Sequence, residues 1–410
     1  MPVDSANRVK RWLQHSAEPS AVAWFLHLRT QGRLWPKTHM SRPRRAVVAS
    51  VAIVVAMAAA IAVIRWMPAA RGGDGTASND ERIDALTRAQ VWRAPNVPIG
   101  RASLGPDPSA PQTIECRFKL TDLGGTTPKF HCLLDRGTEI RAKYGRGEEI
   151  PAEAAATRLL KALGFGADSV VLIERLRCYG CPRAPFTTLK LVEATKAQHV
   201  YEHVIDHDKY QEFEWTAVEE KFDASAIETP DQEGWAFWEL DKVDPAKGGA
   251  PRAHIDALRL VALFLAHWDN KAENQRLVCL SRGWRAGTRC REPFLLLQDV
   301  GSTFGPTRVD LDRWSQAPLW QDRASCTVSM RSLPYGGGTF GVARISEAGR
   351  QFLTTRLNQL SDAQIADLFS GARFDKQDGL LTSARPISEW VRVFKARAKA
   401  LTEGPPCPHS

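Results

Sequence analysis

Hydrophobic positions change their period several times along this chain. Residues 46–64, "AVVASVAIVVAMAAAIAVI", are 19 uncharged and almost wholly apolar residues. As a helix they span about 28 Å, close to the hydrocarbon thickness of a bilayer. Beyond Thr113 the pattern alternates. "TIECRFKLTDL", "KFHCLLD" and "EIRAKYG" predict three strands joined by the Gly-bearing turns "GGTTP" and "RGT". A helical period follows in "IPAEAAATRLLKALGF", with Pro151 near its start and Gly164 and Gly166 at its end. "SVVLIERLRC" and "FTTLKLVEA" read as further strands. After them helices prevail: the strongly apolar "IDALRLVALFLAHW", then the amphipathic "RISEAGRQFLTTRLNQL", "SDAQIADLFSGA" and "PISEWVRVFKARAKALTEG".

Strands first and helices after imply an α+β chain with two lobes. The boundaries read as a basic tail over 1–45, an apolar segment over 46–64, a Gly/Pro-rich tether over 65–112, a strand-rich lobe over 113–195 and a helical lobe over 196–405. The tether holds room for one short helix, "DERIDALTRAQVW".

Charge explains the tail. Nine of the Lys and Arg residues precede residue 46 and face only Asp4 and Glu18 there, whereas the rest of the chain is nearly balanced. A nucleic-acid-binding domain should carry its basic excess on itself, so no nucleic-acid partner is expected. Arg42, Arg44 and Arg45 beside the apolar run predict a cytoplasmic N-terminus, a membrane partner through 46–64, and an extracytoplasmic main domain that is periplasmic or lumenal. The alternative is a signal peptide starting at Met40 and a secreted product. All eight cysteines follow the apolar run, as disulfides in an oxidising compartment would require. Cys116 with Cys132 and Cys279 with Cys290 each flank a turn-rich stretch between strands and are expected to pair. Cys178–Cys181 and Cys326–Cys407 remain. Zinc is the rival for Cys178-Tyr-Gly-Cys181, but no second C-x-x-C or H-x3-5-H is present.

Candidate chemistry concentrates in "HWDNKAEN", His267 to Asn274, directly after the apolar helix, and in "FLLLQDVG", where an apolar strand ends on Asp299. By itself the first could be the polar end of a buried helix, and the second a strand and turn. Together they supply what phosphoryl transfer needs: a carboxylate for the nucleophile's proton, an Asn and a second carboxylate as hard ligands, and a Lys for developing charge.

"HWDNKAEN" resembles the protein-kinase catalytic loop H-R-D-x-K-x-E-N, and "DVG" is similar to its D-F-G. The resemblance covers roughly residues 113–400. It implies Asp269 as the catalytic Asp, Lys271 at the γ-phosphate, Asn274 and Asp299 as metal ligands, and His267 as the brace of the loop. Gly124 and Gly125 stand where a Gly-rich hairpin would cover the nucleotide, without the G-x-G-x-x-G pattern. Lys143 on the third strand, with Glu153 on the next helix, corresponds to the nucleotide-binding ion pair, Lys129 being the competitor. Trp268 replaces the usual Arg, the stretch between Asn274 and Asp299 is long, and no A-P-E follows. The chain is therefore nearer to secretory-pathway kinases, bacterial toxin-type Ser kinases or lipid kinases than to the standard eukaryotic domain. The implied cofactors are ATP and Mg²⁺ or Mn²⁺, and the implied acceptor is a hydroxyl of a protein, lipid or small molecule. Transfer of AMP on the same fold and a pseudokinase scaffold are the alternatives. Trp235, Trp238, Trp268, Trp284 and Trp314 read as packing residues rather than a ligand box.

Overall fold

The computed structural model describes residues 76–106, 111–121, 123–135, 137–333, 338–376 and 384–408. The basic tail and the apolar segment 46–64 lie outside them. Among the described residues no helix is long and apolar enough to cross a membrane.

The expected tether is, over its described part, a structural strap. Its helix α1 (Asn79–Thr87) starts with a reciprocal cap: Glu81 N donates to the Ser78 hydroxyl and Ser78 N to the Glu81 carboxylate. Leu86, Val91 and Leu104 are buried. Arg82 and Glu239 form an ion pair out of solvent at 2.8 Å. Gly- and Pro-rich composition hid these few apolar anchors, which lie too far apart to make a period.

Strands β1 (Thr113–Lys119), β2 (Lys129–Leu133) and β3 (Glu139–Lys143) form as the alternation predicts. Helix α2 (Glu149–Leu163) follows, then the short β4 (Gly166–Ala167) and the long β5 (Ser169–Tyr179). The stretch read as a strand after β5 is instead the helix α3 (Pro185–Thr195). Pro185 supplies a preset φ for its first turn, and Leu189 and Val192, three apart, face inward together. Helix α4 (Gln198–Val204) leads to β6 (Tyr210–Glu220). That strand completes a closed barrel in the order β1-β2-β3-β6-β5, in which only the β1–β5 contact is parallel. The strand-rich lobe thus runs to Glu220, past the expected boundary at 195. The barrel has its own core, built on Phe118, Phe130, Ile140 and Leu176.

The remainder begins with β7 (Ser225–Ala226), α5 (Arg252–Leu265), β8 (Gln275–Cys279) and β9 (Pro293–Leu297), and its sheet runs β4-β9-β8-β7. Gln90 of the strap bridges onto β9: Gln90 N donates to Pro293 O and Leu295 N to Gln90 O, both at 2.9 Å. Helices α6 (Leu311–Gln316), α7 (Glu347–Leu357), α8 (Asp362–Gly371) and α9 (Ile387–Thr402) close the lobe around Phe264, Phe304, Trp314, Phe369 and Trp390. All eight cysteines are paired: Cys116 with Cys132 and Cys279 with Cys290 as expected, and Cys178 with Cys181 and Cys326 with Cys407, whose pairing the sequence left open.

Candidate active site

Three elements bring three charged groups together. β3 ends on Lys143, α2 carries Glu153 one turn inside its start, and Asp299 follows β9. Lys143 Nζ lies 2.8 Å from Glu153 Oε1 and 3.5 Å from Asp299 Oδ1. The Lys and Glu are buried, while 32% of the Asp299 side chain is open to solvent. Burial alone would discharge Lys143, but Asp299 and Glu153 hold its pKa well above the usual lysine range. Burial likewise opposes the Asp299 carboxylate; the cations Lys143, Arg141 and Lys129 overcome it and hold its pKa well below the usual range. Lys129, the competing lysine, starts β2, and burial together with Lys143 and Arg141 brings it down to about 8. The ion pair with Glu153 belongs to Lys143, as expected. Arg141, which the sequence did not single out, is bound to Glu219 across the β3–β6 pair.

The loop after α5 is fixed from several sides. Ala266 turns the chain in the left-handed region at φ 54°. His267 is buried, and burial lowers its pKa to about 4. Asn274 Nδ2 donates to the Asp269 carbonyl at 2.7 Å, and the Asn274 carbonyl accepts from Asp299 N at 3.1 Å, so loop and Asp299 share one bracket. Asp269 Oδ1 is buried without a hydrogen-bond partner, and Oδ2 lies 3.7 Å from Lys271 Nζ. Sequence reasoning missed Asn270. Its Oδ1 accepts from Thr339 N at 2.7 Å and Phe340 N at 2.8 Å, and its Nδ2 donates to the His267 carbonyl at 2.9 Å. It clasps the loop to a segment some seventy residues on. An Asn beside an Asp carries no spacing signal that could have announced this.

Gly124 and Gly125 lie in the turn between β1 and β2, Gly125 at φ 75°. The turn is anchored to α2 where the Thr127 hydroxyl donates to the Glu149 carboxylate. A cavity of about 400 Å³ lies between this turn (Thr126, Thr127), the start of α2 (Glu149), Trp268 and Ser302. A larger cavity, about 640 Å³, is lined by Arg158 and Lys161 on the later turns of α2 and by none of the groups above. Volume alone would choose it. The convergent charges assign the candidate site to the Lys143–Asp299–Asp269 side instead.

The donor set fits a divalent cation of the Mg²⁺ class. Asp299 offers an ionised carboxylate. Asn274 uses its NH₂ on the chain and has its amide oxygen left to offer. Both are hard oxygen donors.

No protein-family model matches the chain, and no curated protein matches it. Among solved structures, a crystal structure of a Helicobacter pylori proinflammatory kinase, CtkA, aligns over 70% of this chain and 94% of its own, at 10% identity and a TM-score of 0.39.

Proposed function

We propose that residues 76–410 form a kinase-like phosphotransferase that moves the γ-phosphoryl group of ATP to a hydroxyl acceptor. The supporting observation is the meeting of Lys143 with both Glu153 and Asp299, from three elements far apart in sequence. A structural ion pair would need one carboxylate; here a second, partly open to solvent, shares the same ammonium.

In this reading Lys143, oriented by Glu153, neutralises the bound phosphates of the nucleotide, beneath the Gly124–Gly125 turn. Asn274 and Asp299 hold the divalent ion, which when bound draws charge from the phosphate oxygens. Asp269, whose side chain is partly open to solvent, orients the acceptor hydroxyl with its carboxylate and takes its proton. The new O–P bond forms as the bond to the leaving ADP oxygen breaks, and Lys271 offsets the charge spread over the transferring group. The domain is anchored through 46–64 and works outside the cytoplasm, a placement supported by that segment's apolar length and by the pairing of every cysteine.

The test is turnover of ATP labelled at the α- or γ-phosphate by the full chain with Mg²⁺ or Mn²⁺. Label should follow the γ-phosphate, and Asp269→Asn should lower kcat by roughly 10²–10⁴-fold. Transfer of the α-label would mean AMP transfer. No turnover by the parent, or an Asp269→Asn variant as fast as the parent, defeats the catalytic reading.

A further inference from the structure

The sequence contains one C-x-x-C pair, Cys178 and Cys181, and no second pair that would make it a metal site. The fold supplies the second pair. Cys116 sits on β1 and Cys132 on the antiparallel neighbour β2, while Cys178 is the register partner of Cys116 across the parallel β1–β5 contact. The sulfurs of Cys116, Cys132 and Cys178 all lie within 4.8 Å of one another, and Cys181 is bonded to Cys178. All four residues are buried, at 2%, 0%, 0% and 8% exposure in the order Cys116, Cys132, Cys178, Cys181. Gly180, at φ 75°, turns the chain between Cys178 and Cys181 so that Cys181 comes back to Cys178 at the edge of the cluster.

We propose that these four cysteines are a single thiolate site for a zinc-class ion when reduced, and that the two disulfides are its oxidised form. A tetrahedral site with Zn–S bonds near 2.3 Å has sulfurs about 3.8 Å apart, so each bonded pair must part by about 2 Å, and Cys181, outside the three-sulfur cluster, must turn toward Cys116 and Cys132. The chemistry balances. Two equivalents of a dithiol reductant are oxidised to disulfides and deliver four electrons and four protons, leaving four protein thiols. Zn²⁺ then binds four thiolates and releases up to four protons. A two-electron thiol oxidant, used twice, reverses the first step and expels the ion. The oxidised form ties β1 to β2 and closes the turn after β5, whereas the metal form would tie β1, β2 and β5 together at one point. The proposal is independent of the phosphotransferase reading: it uses none of the same residues and predicts metal without nucleotide.

The full chain would be reduced with a dithiol under anaerobic conditions, given Zn²⁺, freed of unbound metal and assayed for zinc content and thermal melting. The reduced parent should retain one Zn²⁺ per chain and melt higher with Zn²⁺ than with a chelator. Cd²⁺ in its place should show thiolate-to-metal absorption. Cys279→Ser with Cys290→Ser should keep the ion, and Cys116→Ser with Cys178→Ser should lose it. Should the reduced chain unfold, Zn²⁺ should restore its fold. A reduced parent that neither retains zinc nor is stabilised by it overturns the proposal, as does zinc that survives the Cys116→Ser, Cys178→Ser pair.

Discussion

At the scale of single residues the candidate site is a problem of keeping charge inside protein. Lys143 remains an ammonium in a buried position because two carboxylates face it; remove one and the balance shifts. His267 solves the opposite problem by staying neutral. It lies beneath the loop that carries Asp269, facing Asp299 and the Ser302 backbone, and burial lowers its pKa to about 4. An unfolded chain would bind that proton near pH 6.5, so between pH 6.5 and 4 the unfolded state holds more protons and stability falls with pH. The loss from this residue should reach about 3 kcal/mol by pH 4. Urea unfolding of the parent and of His267→Gln from pH 7 to 4.5 measures it. The parent's stability should fall more steeply than the variant's, and parallel slopes would contradict a neutral, buried His267.

At the scale of elements, what precedes the loop matters as much as the loop. Helix α5 ends against Arg397 of α9, whose buried guanidinium donates to the carbonyls of Leu263, Phe264, Trp314 and Ala317. One side chain thus satisfies the ends of two helices and fixes the point from which Asp269 is presented. Arg397→Leu strands these carbonyls and should cost about 3 kcal/mol. Amide exchange at Ala266–Asp269 should quicken while that of β5 holds; unchanged exchange at the loop would sever the link. Nothing local marks Arg397, because its partners lie 80 to 134 residues away. The loop itself was legible because its parts fall within eight residues. Lys143 and Glu153 were legible because the helix starts just after the strand. Other elements were not. "FTTLKLVEA" carries Thr187, Thr188 and Val192, all β-branched, around an alternating Leu189-Lys190-Leu191, and only the proline before it points to a helix. β6 was passed over because Glu212, Glu214, Glu219 and Glu220 break up its apolar positions.

At the scale of the whole molecule, the strap over 76–106 joins the two parts of the site. The Trp92 indole donates to the Leu163 carbonyl at 2.7 Å, closing the end of the helix that carries Glu153, while Gln90 pairs with the strand that leads to Asp299. Deleting residues 73–110 removes Leu86, Val91, Ile99 and Leu104 from the core, each contributing about 1.5–3 kcal/mol of burial. That sum is comparable with a whole domain's stability, so this variant should lose its cooperative melt, and one that melts like the parent would return the segment to the status of a linker. The central claim is that Asp299 and Asp269 divide ground-state binding from turnover. Calorimetric titration of the full chain with ATP and Mg²⁺ tests it most directly. The parent should bind in a metal-dependent way, Asp299→Ala should abolish that binding because the phosphate charge is left uncompensated, and Asp269→Ala should bind nearly as the parent does. A parent that binds no nucleotide, or an Asp299→Ala variant that binds as the parent does, would contradict the account.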